Sequence, residues 1–417
     1  MTKTLILALA VPGFFLAAYG LYFGVIAIFG IRLRSHYAPR APRARFAVLI
    51  AARNEGAVIG HLVDSLTAQQ YPRELFDIIV APNNCTDDTE QVARRHGARI
   101  FAPQGRITGK GEVLRQAVDA LILPGSYDAV CVFDADNLVD PMFLARMNDA
   151  WCAGAAAAQG FRDSKNPQQS AVSGCYSICY WMLSHFYNNA RAQLGLSALV
   201  NGSGFMVSAE LLRRLGGWHT RTMTEDYEFS AQCVLAGERV CFVPGAVIYD
   251  EQPLTFLQSW KQRRRWTTGS LQGLELYGGR LFAHAVSEHD MVSADMYLTF
   301  LSPLLQVVSA LTAVLGTALM LWMGRLDPIN LAVIVAVAAG SVLASALGCA
   351  AAALAAVLMK KTPLPGMAKS ILSFWVFMGS WMLITFVSVF KRQESWDPIA
   401  HTDAVGISDL EKLDHTA

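Results

Sequence analysis

Two very apolar parts of the chain flank a region with an ordinary alternating pattern. Residues 5–31 form one apolar run, and residues 296–390 contain three more candidates, at about 296–323, 330–358 and 369–390. Each is long enough to cross the hydrocarbon core of a bilayer, which takes about 20 apolar residues. The pattern predicts a membrane anchor, a soluble domain and a second membrane region, in that order.

The first apolar run has two interpretations, a cleaved signal peptide or a permanent anchor. Lys3 is the only charged residue before it, and the run continues to Ile31, which is long for a signal peptide. We therefore expect an uncleaved anchor. Basic residues are retained on the cytoplasmic side, which places the following domain in the cytoplasm and the N-terminus outside. The basic residues that follow the run are Arg32, Arg34, Arg40, Arg43 and Arg45.

Short buried strands alternate with amphipathic helices in the region between the apolar parts. Alternation of this kind predicts a mainly parallel sheet covered by helices on both faces. Ligands bind beyond the carboxyl ends of such strands, and the polar signatures at 83–88 and 134–136 both follow strand ends. These signatures are therefore expected on one rim of the sheet. The strand patterns occupy 45–51, 76–81, 99–102 and 127–133, and the helical patterns begin near Val58, Gln91 and Gly111.

Two further segments combine aromatic residues with a helical pattern. Residues 171–194 are rich in Tyr, Trp and Phe, which suits either a helix on a membrane surface or a helix buried between domains. Residues 253–275 set Leu254, Phe256 and Trp260 among basic residues, which is typical of an amphipathic helix at an interface.

The charges around the C-terminal apolar segments conflict with a simple topology. Lys360-Lys361 and Lys391-Arg392 both favour the cytoplasmic side, yet one candidate span separates them. Three full crossings would also place the tail outside. We expect that one of the segments is re-entrant or interfacial, and the sequence does not single out which.

Composition narrows the class of protein. The chain is 53% hydrophobic and 16% charged, with a net charge of +1, and this balance argues against nucleic acid as a partner. The eight cysteines form no CxxC pair. A cytoplasmic domain holds few disulfides, so we interpret the cysteines as small buried residues.

The triplet Asp134-Ala135-Asp136 directly follows the predicted strand 127–133. Two carboxylates at positions i and i+2 after a buried strand can point toward one cation. Mg²⁺ and Mn²⁺ prefer oxygen ligands and are commonly held by one or two carboxylates and phosphate oxygens. A solvated turn is the alternative, but the buried strand before the triplet favours a ligand site. Asp134 and Asp136 are the candidate metal ligands.

The triplet Thr224-Glu225-Asp226 has a catalytic and a structural interpretation. Transfer of a group to a hydroxyl needs a base that accepts the proton, and Asp226 is the candidate. Alternatively, Thr224 caps a helix whose first turn carries the two acids. For the triplet alone, the capping interpretation is the stronger one. Together with the neighbouring signatures, the catalytic interpretation becomes the stronger one.

The sequence Gln262-Arg263-Arg264-Arg265-Trp266 places guanidinium groups next to a large aromatic ring. Arginine side chains suit diphosphate oxygens and can stabilise a departing nucleoside diphosphate. Trp266 offers a flat face on which a sugar ring can stack. The alternative is a basic helix lying on anionic lipid headgroups.

Three further segments fit the same site. Arg53 and Glu55 follow the first strand, where Glu55 suits ribose hydroxyls or a base. Lys110 opens a helix and is expected to be free to reach phosphate, although its surroundings lack the spacing of a P-loop. The glycines of Asn201-Gly202-Ser203-Gly204 permit a tight loop at which backbone approaches a substrate.

Together, in their order along the chain, these residues resemble the family 2 inverting glycosyltransferases of the processive, membrane-embedded kind. That group includes hyaluronan, cellulose, chitin and poly-N-acetylglucosamine synthases and ceramide glucosyltransferase. The resemblance covers about residues 45–270, and its specificity lies in the ordered combination of the DxD, TED and QxxRW motifs.

The resemblance implies a GT-A fold, a UDP-sugar donor, Mg²⁺ or Mn²⁺ as cofactor, and Asp226 as the catalytic base. Asp134 and Asp136 would hold the metal. The candidate donor-binding residues are Arg53, Glu55, Asn83, Lys110, Asp134, Gln262 and Arg265, and the candidate acceptor-binding residues are Gly204, Glu225 and Trp266.

The chain departs from the family pattern at two positions. Asn83 stands where an aspartate usually contacts the nucleotide base, and its amide both donates and accepts hydrogen bonds, so this position does not specify the base. Ala51 replaces a common proline, with little expected effect. The segment 396–401 is similar to the cytoplasmic tail of some members.

We expect an α/β GT-A domain combined with transmembrane helices, acting as a multi-pass enzyme of the inner membrane with a cytoplasmic catalytic domain. Its expected partners are a UDP-sugar, a carbohydrate or lipid acceptor and the bilayer, without nucleic acid. The expected product is a β-linked polysaccharide, with a single-transfer glycolipid synthase or an inactive nucleotide-binding subunit as alternatives. The expected domains are an anchor and linker at 1–44, the GT-A domain at 45–252, interface helices at 253–290, a transmembrane region at 291–391 and a polar tail at 392–417.

Overall fold

An eight-stranded mixed sheet forms the centre of the soluble domain, with the strand order β3-β2-β1-β4-β7-β6-β8-β5. Most neighbouring strands are parallel, as predicted, while β7 and β5 run antiparallel to their neighbours. The strands are β1 Phe46–Ala52, β2 Phe76–Pro82, β3 Arg99–Ile100, β4 Ala129–Asp134, β5 Leu138–Val139, β6 Ala157–Ser164, β7 Phe205–Ser208 and β8 Val240–Asp250.

Helices cover both faces of the sheet and continue into the apolar parts of the chain. The computed structural model describes residues 2–105, 107, 109–323, 328–391 and 393, so Thr108 and almost all of the polar tail lie outside the described residues. The helices are α1 Thr2–Ile28, α2 Ile59–Thr67, α3 Thr89–Arg95, α4 Lys110–Ala117, α5 Phe143–Cys152, α6 Ala171–Met182, α7 Ala190–Gln193, α8 Ala209–Leu215, α9 Glu225–Leu235, α10 Phe256–Ser287, α11 Met291–Met323, α12 Pro328–Lys360 and α13 Leu364–Phe390. A 3₁₀ turn at Arg73–Leu75 and π-helical segments at Val118–Ile122 and Leu183–Asn189 complete the elements.

Side-chain alternation along the strands explains why both faces of the sheet are covered. In β1, Ala47 and Leu49 belong to one buried cluster, whereas Phe46, Val48 and Ile50 belong to the cluster on the opposite face. Successive side chains of a strand point to opposite faces, so an almost fully apolar strand needs helices on both sides.

The aromatic segment 171–194 is buried between the sheet and the apolar helices. Tyr176 and Trp181 of α6 are each 1% exposed and share a cluster with Phe205 of β7 and Phe377 of α13. Of the two interpretations of this segment, the buried helix is therefore the one observed.

Within the part of the chain that the structure describes, four helices are long and apolar enough to cross a membrane, namely α1, α11, α12 and α13. A buried ion pair joins two of them to the soluble domain. Arg191 of α7 donates from Nε and Nη2 to the Asp295 carboxylate of α11 at 2.8 and 3.0 Å, and Tyr22 of α1 donates to the same carboxylate at 3.0 Å. Because an unpaired buried charge is costly, these contacts fix where α1 and α11 leave the domain.

Candidate active site

A cleft of about 1390 Å³ opens at the carboxyl ends of the parallel strands and continues between the apolar helices. The residues that follow β1, β2 and β4 share it, as expected for one rim of the sheet. The candidate residues that line it are Arg53, Glu55, Asn83, Lys110, Asp134, Asp136, Glu225, Asp226, Gln262, Arg265 and Trp266.

Hydrogen bonds connect the turns after β1 and β2, and these turns place Arg53, Glu55 and Asn83 at the cleft. Asp87 accepts the Gly56 amide at 3.0 Å and the Thr89 hydroxyl at 2.5 Å, and that hydroxyl accepts the Glu55 amide at 2.8 Å. The Asn83 side chain donates to the Ala52 carbonyl at 3.1 Å. Asp87 thus acts within the loop, and Asn83 is the residue of this signature that lines the cleft.

Lys110 is fixed by carboxylates, which corrects the expectation of a free side chain. Its Nζ lies 2.5 Å from Asp134 Oδ1, 2.6 Å from the Gly202 carbonyl and 3.8 Å from Glu225 Oε1. Burial lowers the pKa of Lys110, but Asp134 and Glu225 outweigh it and the net shift is upward. Burial likewise opposes ionisation of Asp134, yet Lys110 and Arg162 bring its pKa below the ordinary value.

Glu225 and Asp226 begin α9 and face the cleft from its first turn. Thr224 occupies the N-cap position but makes no capping hydrogen bond, so the structural interpretation of this triplet lacks its central contact. Burial raises the pKa of Glu225 to about 7, with Lys110 opposing and Asp226 adding to the shift. Burial also raises the pKa of Asp226. A carboxylate with a raised pKa is a better proton acceptor near neutral pH.

The loop before β7 brings backbone between the carboxylates. Gly202 has φ +82°, and a β-carbon on it would lie 3.3 Å from Asp226 Oδ2 and 3.9 Å from Asp134 Oδ2. Gly204 lies behind this surface, where a β-carbon would meet the Ile248 side chain at 2.8 Å. Of the two glycines in this loop, Gly202 lines the cleft, and the acceptor-binding role of Gly204 stays a prediction.

Arg162 and Asp250 are site residues that the sequence analysis missed. Arg162 Nε donates to Asp250 Oδ2 at 2.9 Å, its Nη1 donates to the Asn201 carbonyl, and its guanidinium lies 4.3 Å from the centre of the Tyr180 ring. Burial raises the pKa of Asp250 to about 6, with Arg162 opposing. The available signal was an arginine inside the fully buried strand β6, where a charge needs a partner.

The helix α10 divides the Gln262–Trp266 motif between two surfaces. A capping box of Thr255 and Gln258 starts the helix, and Gln262, Arg265 and Trp266 then share one face because they are three and four residues apart. Arg263 is fully buried on another face and donates to the Phe377 carbonyl of α13 at 2.7 Å. Only one of the three arginines therefore lines the cleft.

Trp266 belongs to an aromatic wall that separates the strand ends from the apolar helices. Its ring centre lies 5.9 Å from Tyr176, 6.1 Å from Tyr180 and 6.2 Å from Trp381. Beyond this wall, polar side chains of otherwise apolar helices line the cleft: Thr299, Ser302 and Gln306 from α11 and Thr385 from α13.

The carboxylates after β4 suit part of a coordination shell for a divalent cation. Asp136 is 5% exposed, so the triplet 134–136 is not a solvated turn, and Asn137 donates to Asp136 at 3.4 Å and to Asp250 at 2.8 Å. Within the described residues no group of three or more His, Cys, Asp or Glu side chains is placed to hold a metal. The donor set fits an ion that takes its remaining ligands from a diphosphate.

Comparison with known proteins identifies the family to which the chain belongs. A model of the glycosyltransferase like family 2 matches residues 42–269, and the chain therefore belongs to glycosyltransferase family 2. The mannosyltransferase PcManGT of Pyrobaculum calidifontis, solved with GDP-Man and Mn²⁺, superimposes with a TM-score of 0.61 at 18% identity, over 94% of this chain and 100% of that one. The fold is accordingly GT-A-like, as expected.

Curated relatives include makers of different products. A probable glycosyltransferase of Bacillus subtilis, YdaM, is 26% identical over 54% of this chain and 55% of its own length. A beta-monoglucosyldiacylglycerol synthase of Synechocystis is 26% identical over 56% and 50%. A poly-beta-1,6-N-acetyl-D-glucosamine synthase of Staphylococcus aureus is 26% identical over 53% of each. The chain thus spans about half the length of these relatives, and the two named synthases make different products.

Glu225→Gln is expected to stabilise the protein above neutral pH. The pKa of Glu225 is raised from 4.5 to about 7, so the folded state keeps a proton that the unfolded chain releases earlier. Its contribution to stability is complete below pH 4.5 and is lost as the pH rises to about 7. The amide removes that loss, on the order of 3 kcal/mol at pH 8.

The measurement is the melting temperature of the purified protein between pH 4.5 and 8.5. Glu74→Gln, at an exposed position, serves as the control. If the melting temperatures of the parent and of Glu225→Gln change with pH in the same way across this range, the pKa of Glu225 is not raised in the folded protein.

Proposed function

We propose that this protein is a membrane-embedded, inverting glycosyltransferase that moves a sugar from a UDP-sugar to a growing polysaccharide and forms a β-glycosidic bond. One observation carries the proposal: Asp226, the Lys110–Asp134 pair and Arg265 line one cleft, which continues past Trp266 into the polar side of two apolar helices. A donor and an acceptor can meet at Asp226 from the two ends of this cleft.

The strand-end rim is the proposed donor site. Arg53, Glu55 and Asn83 line the part of the cleft beyond β1 and β2, where nucleotides bind in sheets of this type. The diphosphate would lie between this rim and Arg265, whose guanidinium suits phosphate oxygens. The amide of Asn83 can donate to and accept from a base, and it therefore does not select one base over another. UDP is proposed as the carrier because of the family resemblance alone.

The proposed cofactor is Mg²⁺ or Mn²⁺, held by Asp136 and Asp134. The solved mannosyltransferase contains Mn²⁺ with its nucleotide sugar, which supports this assignment. Such an ion supplies positive charge that stabilises the leaving diphosphate. The chain itself supplies Arg265 for the same charge, and Lys110 keeps the Asp134 carboxylate oriented toward the cleft.

Asp226 is the proposed general base. Burial raises its pKa. The neighbouring Gly202 has no side chain, so no β-carbon occupies the space beside the Oδ2 atom of Asp226. An acceptor hydroxyl placed there gives its proton to Asp226 and attacks the anomeric carbon on the side opposite the diphosphate. The bond between that carbon and the diphosphate oxygen breaks, and the nucleoside diphosphate leaves. Attack from the opposite side inverts the configuration, so an α-linked donor gives a β-linked product. The neighbouring Glu225, held near Lys110, is proposed to orient the acceptor.

The lining of the cleft beyond Trp266 supports a glycan acceptor. Thr299, Ser302 and Gln306 lie on one face of α11, and Thr385 donates to Gln306 at 3.0 Å from α13. Beyond the contacts they already make, these side chains have further hydrogen-bonding capacity that sugar hydroxyls can use and an acyl chain cannot. A single-transfer glycolipid synthase is the second candidate, because Tyr19 and Phe23 of α1 give another part of the lining an apolar character.

The proposed location is the inner membrane, with the soluble domain in the cytoplasm where nucleotide sugars are made. Four helices of sufficient length and apolarity and the arginines that follow α1 support this orientation.

Membranes that contain the protein, incubated with a panel of radiolabelled UDP- and GDP-sugars, test the proposal directly. A ladder of products that a β-specific glycosidase degrades is the expected result. One new labelled lipid would support the glycolipid synthase instead, and the absence of labelled product with every donor would contradict both.

Asp226→Asn is expected to lower the transfer rate by about 10² to 10⁴ while UDP affinity stays within about two-fold, because the amide keeps the shape but cannot accept a proton. Rates come from donor consumption and affinities from calorimetric titration. Asp88→Asn, outside the cleft lining, serves as control. Transfer at the parental rate would remove Asp226 from the role of base.

Asp136→Asn is expected to abolish the Mn²⁺-dependent part of UDP binding. Titration of UDP into the parent should show at least ten-fold tighter binding with Mn²⁺ than with EDTA, and the variant should show the same affinity in both. The amide retains the hydrogen-bonding shape of this buried side chain, so folding is preserved. Equal parental affinity in both conditions would exclude the metal from donor binding.

Trp266→Ala is expected to shorten the products several-fold with little change in UDP affinity, whereas Arg265→Ala should weaken UDP binding about ten-fold. A flat indole holds a terminal sugar by apolar contact, and an arginine binds diphosphate. Product length is measured on sizing gels. Trp260→Ala, on the same helix but outside the cleft lining, is the matched control. If both tryptophan variants lose membrane association and keep product length, Trp266 is an anchor only.

A further inference from the structure

The helix α13 contacts the soluble domain near its N-terminal end. Gly366 packs against the side chain of Gln168, and Ser370 packs against Gly174 of α6. The Cys175 thiol of α6 donates to the Ser370 carbonyl at 3.4 Å. This end of α13 therefore lies on the buried aromatic helix of the soluble domain.

The middle and the C-terminal end of α13 contact the same domain through α10. Arg263 Nη1 donates to the Phe377 carbonyl at 2.7 Å and to the Ser380 hydroxyl at 3.0 Å. Arg264 Nη2 donates to the Lys391 carbonyl at 2.8 Å. Gln393, just beyond the helix, lines the same cleft as the strand-end carboxylates.

These contacts are incompatible with a full crossing of the bilayer by α13. The helix has 27 residues, so its ends are about 40 Å apart at 1.5 Å per residue. A crossing of the ~30 Å hydrocarbon core would place one end on the far side, away from the soluble domain. Both ends instead lie on elements of that domain.

The helices α11 and α12 differ from α13. Among the contacts that the structure describes, each of them contacts the soluble domain at one end and not at the other. Phe300, in the first part of α11, packs against Gly273 of α10, whereas Val314 further along is 66% exposed. In α12, Val337 is 64% exposed, while Lys360 at the end of the helix lies 2.6 Å from Asp163 of β6. The two helices thus leave the domain and return to it.

The two faces of α13 differ in partner. One face is buried along the whole helix, from Met367 to Ser388. The opposite face presents a continuous row of exposed apolar side chains, and exposed Lys369 and the flanking Lys361 and Lys391 supply positive charge. The exposed apolar residues are Leu364, Leu372, Trp375, Val376, Met378, Met382, Leu383, Phe386, Val387 and Phe390.

We propose that α13 lies in the plane of the membrane interface, with this apolar face at the boundary of headgroups and acyl chains, and that only α1, α11 and α12 cross the bilayer. An apolar row flanked by lysines suits an anionic lipid surface. The assignment also removes the topological conflict: the arginines after α1, Lys360-Lys361 and Lys391 then all lie on the side of the soluble domain. It rests on the proposed membrane location and is independent of the sugar-transfer reaction.

The position of α13 connects the lipid surface to the cleft. Arg263 and Arg264, which hold α13, are adjacent to Gln262 and Arg265, which line the cleft. An interfacial α13 therefore fixes the height of the cleft above the bilayer.

Spin-label depth measurements on the full chain in vesicles of phosphatidylethanolamine and phosphatidylglycerol test the proposal. Single cysteines are introduced at Leu372, Leu383 and Phe390 of α13 and at Val337 of α12, and the parent, labelled in parallel, gives the background of native thiols. Accessibility to oxygen and to a nickel chelate gives the depth of each label. We expect the α13 labels to lie at one shallow depth, about 5–10 Å below the headgroups, and the Val337 label to lie deeper.

Two results would overturn the interfacial position. A depth that changes steadily from position 372 to position 390 would show a crossing helix. Labels shielded from both relaxants, with spin–spin broadening between copies, would show that a second copy covers this face.

A matched pair of lysine substitutions provides a second test. Val376 and Val337 are both exposed apolar residues, at 47% and 64%. Val376→Lys should leave the amount of membrane-inserted protein within about 1.5-fold of the parent, because an interfacial lysine reaches the headgroups. Val337→Lys should lower it several-fold, since its charge enters the hydrocarbon core. Equal losses for the two variants would contradict the proposal.

Fusions of the full chain at its C-terminus report the side of the tail. Green fluorescent protein at this end should fluoresce, and alkaline phosphatase should be inactive, because the tail is expected on the cytoplasmic side. An active phosphatase with a dark fluorescent protein would place the tail outside and reject the three-crossing topology.

Discussion

The constraint on which the site depends is the balance of charge among carboxylates gathered at one edge of the sheet. Asp134, Asp136 and Asp250 come from β4, the turn after it and β8, and Glu225 and Asp226 come from α9. Carboxylates this close and this buried disfavour one another's ionisation. Two cations offset this cost: the half-buried Lys110 bonds to Asp134, and the buried Arg162 bonds to Asp250.

This balance also gives neighbouring carboxyl groups different protonation behaviour. Lys110 holds Asp134 ionised, while burial brings the pKa of Glu225 to about 7 and raises that of Asp226. One group is then suited to stay charged beside a diphosphate, and another is suited to accept a proton near neutral pH. Burial raises the pKa of all three carboxyl groups, and the cations outweigh it only at Asp134, which Lys110 approaches to 2.5 Å, against 3.8 Å for Glu225.

The second organising feature is the helix α10, which joins the cleft to the apolar helices. Its residues Gln262, Arg265 and Trp266 face the cleft, while Arg263 and Arg264 hold α13. The same helix packs against α11, whose Phe300 lies on Gly273. The surface that lines the cleft and the surface that contacts the apolar helices therefore lie on one helix, and their relative position follows from helical geometry.

The sequence by itself determined the strands β1 to β4, the rim on which their polar ends meet, the four apolar helices and the family, because short-range periodicity and ordered motifs carry that information. Tertiary structure alone decided that Gly202 rather than Gly204 reaches the cleft, that Lys110 is held by Asp134, and that Arg162 pairs with Asp250 from a strand 88 residues away. It also decided that α13 contacts the soluble domain at both ends. These features depend on contacts between residues that are far apart in the sequence. The local pattern of apolar and polar residues carries no information about such contacts.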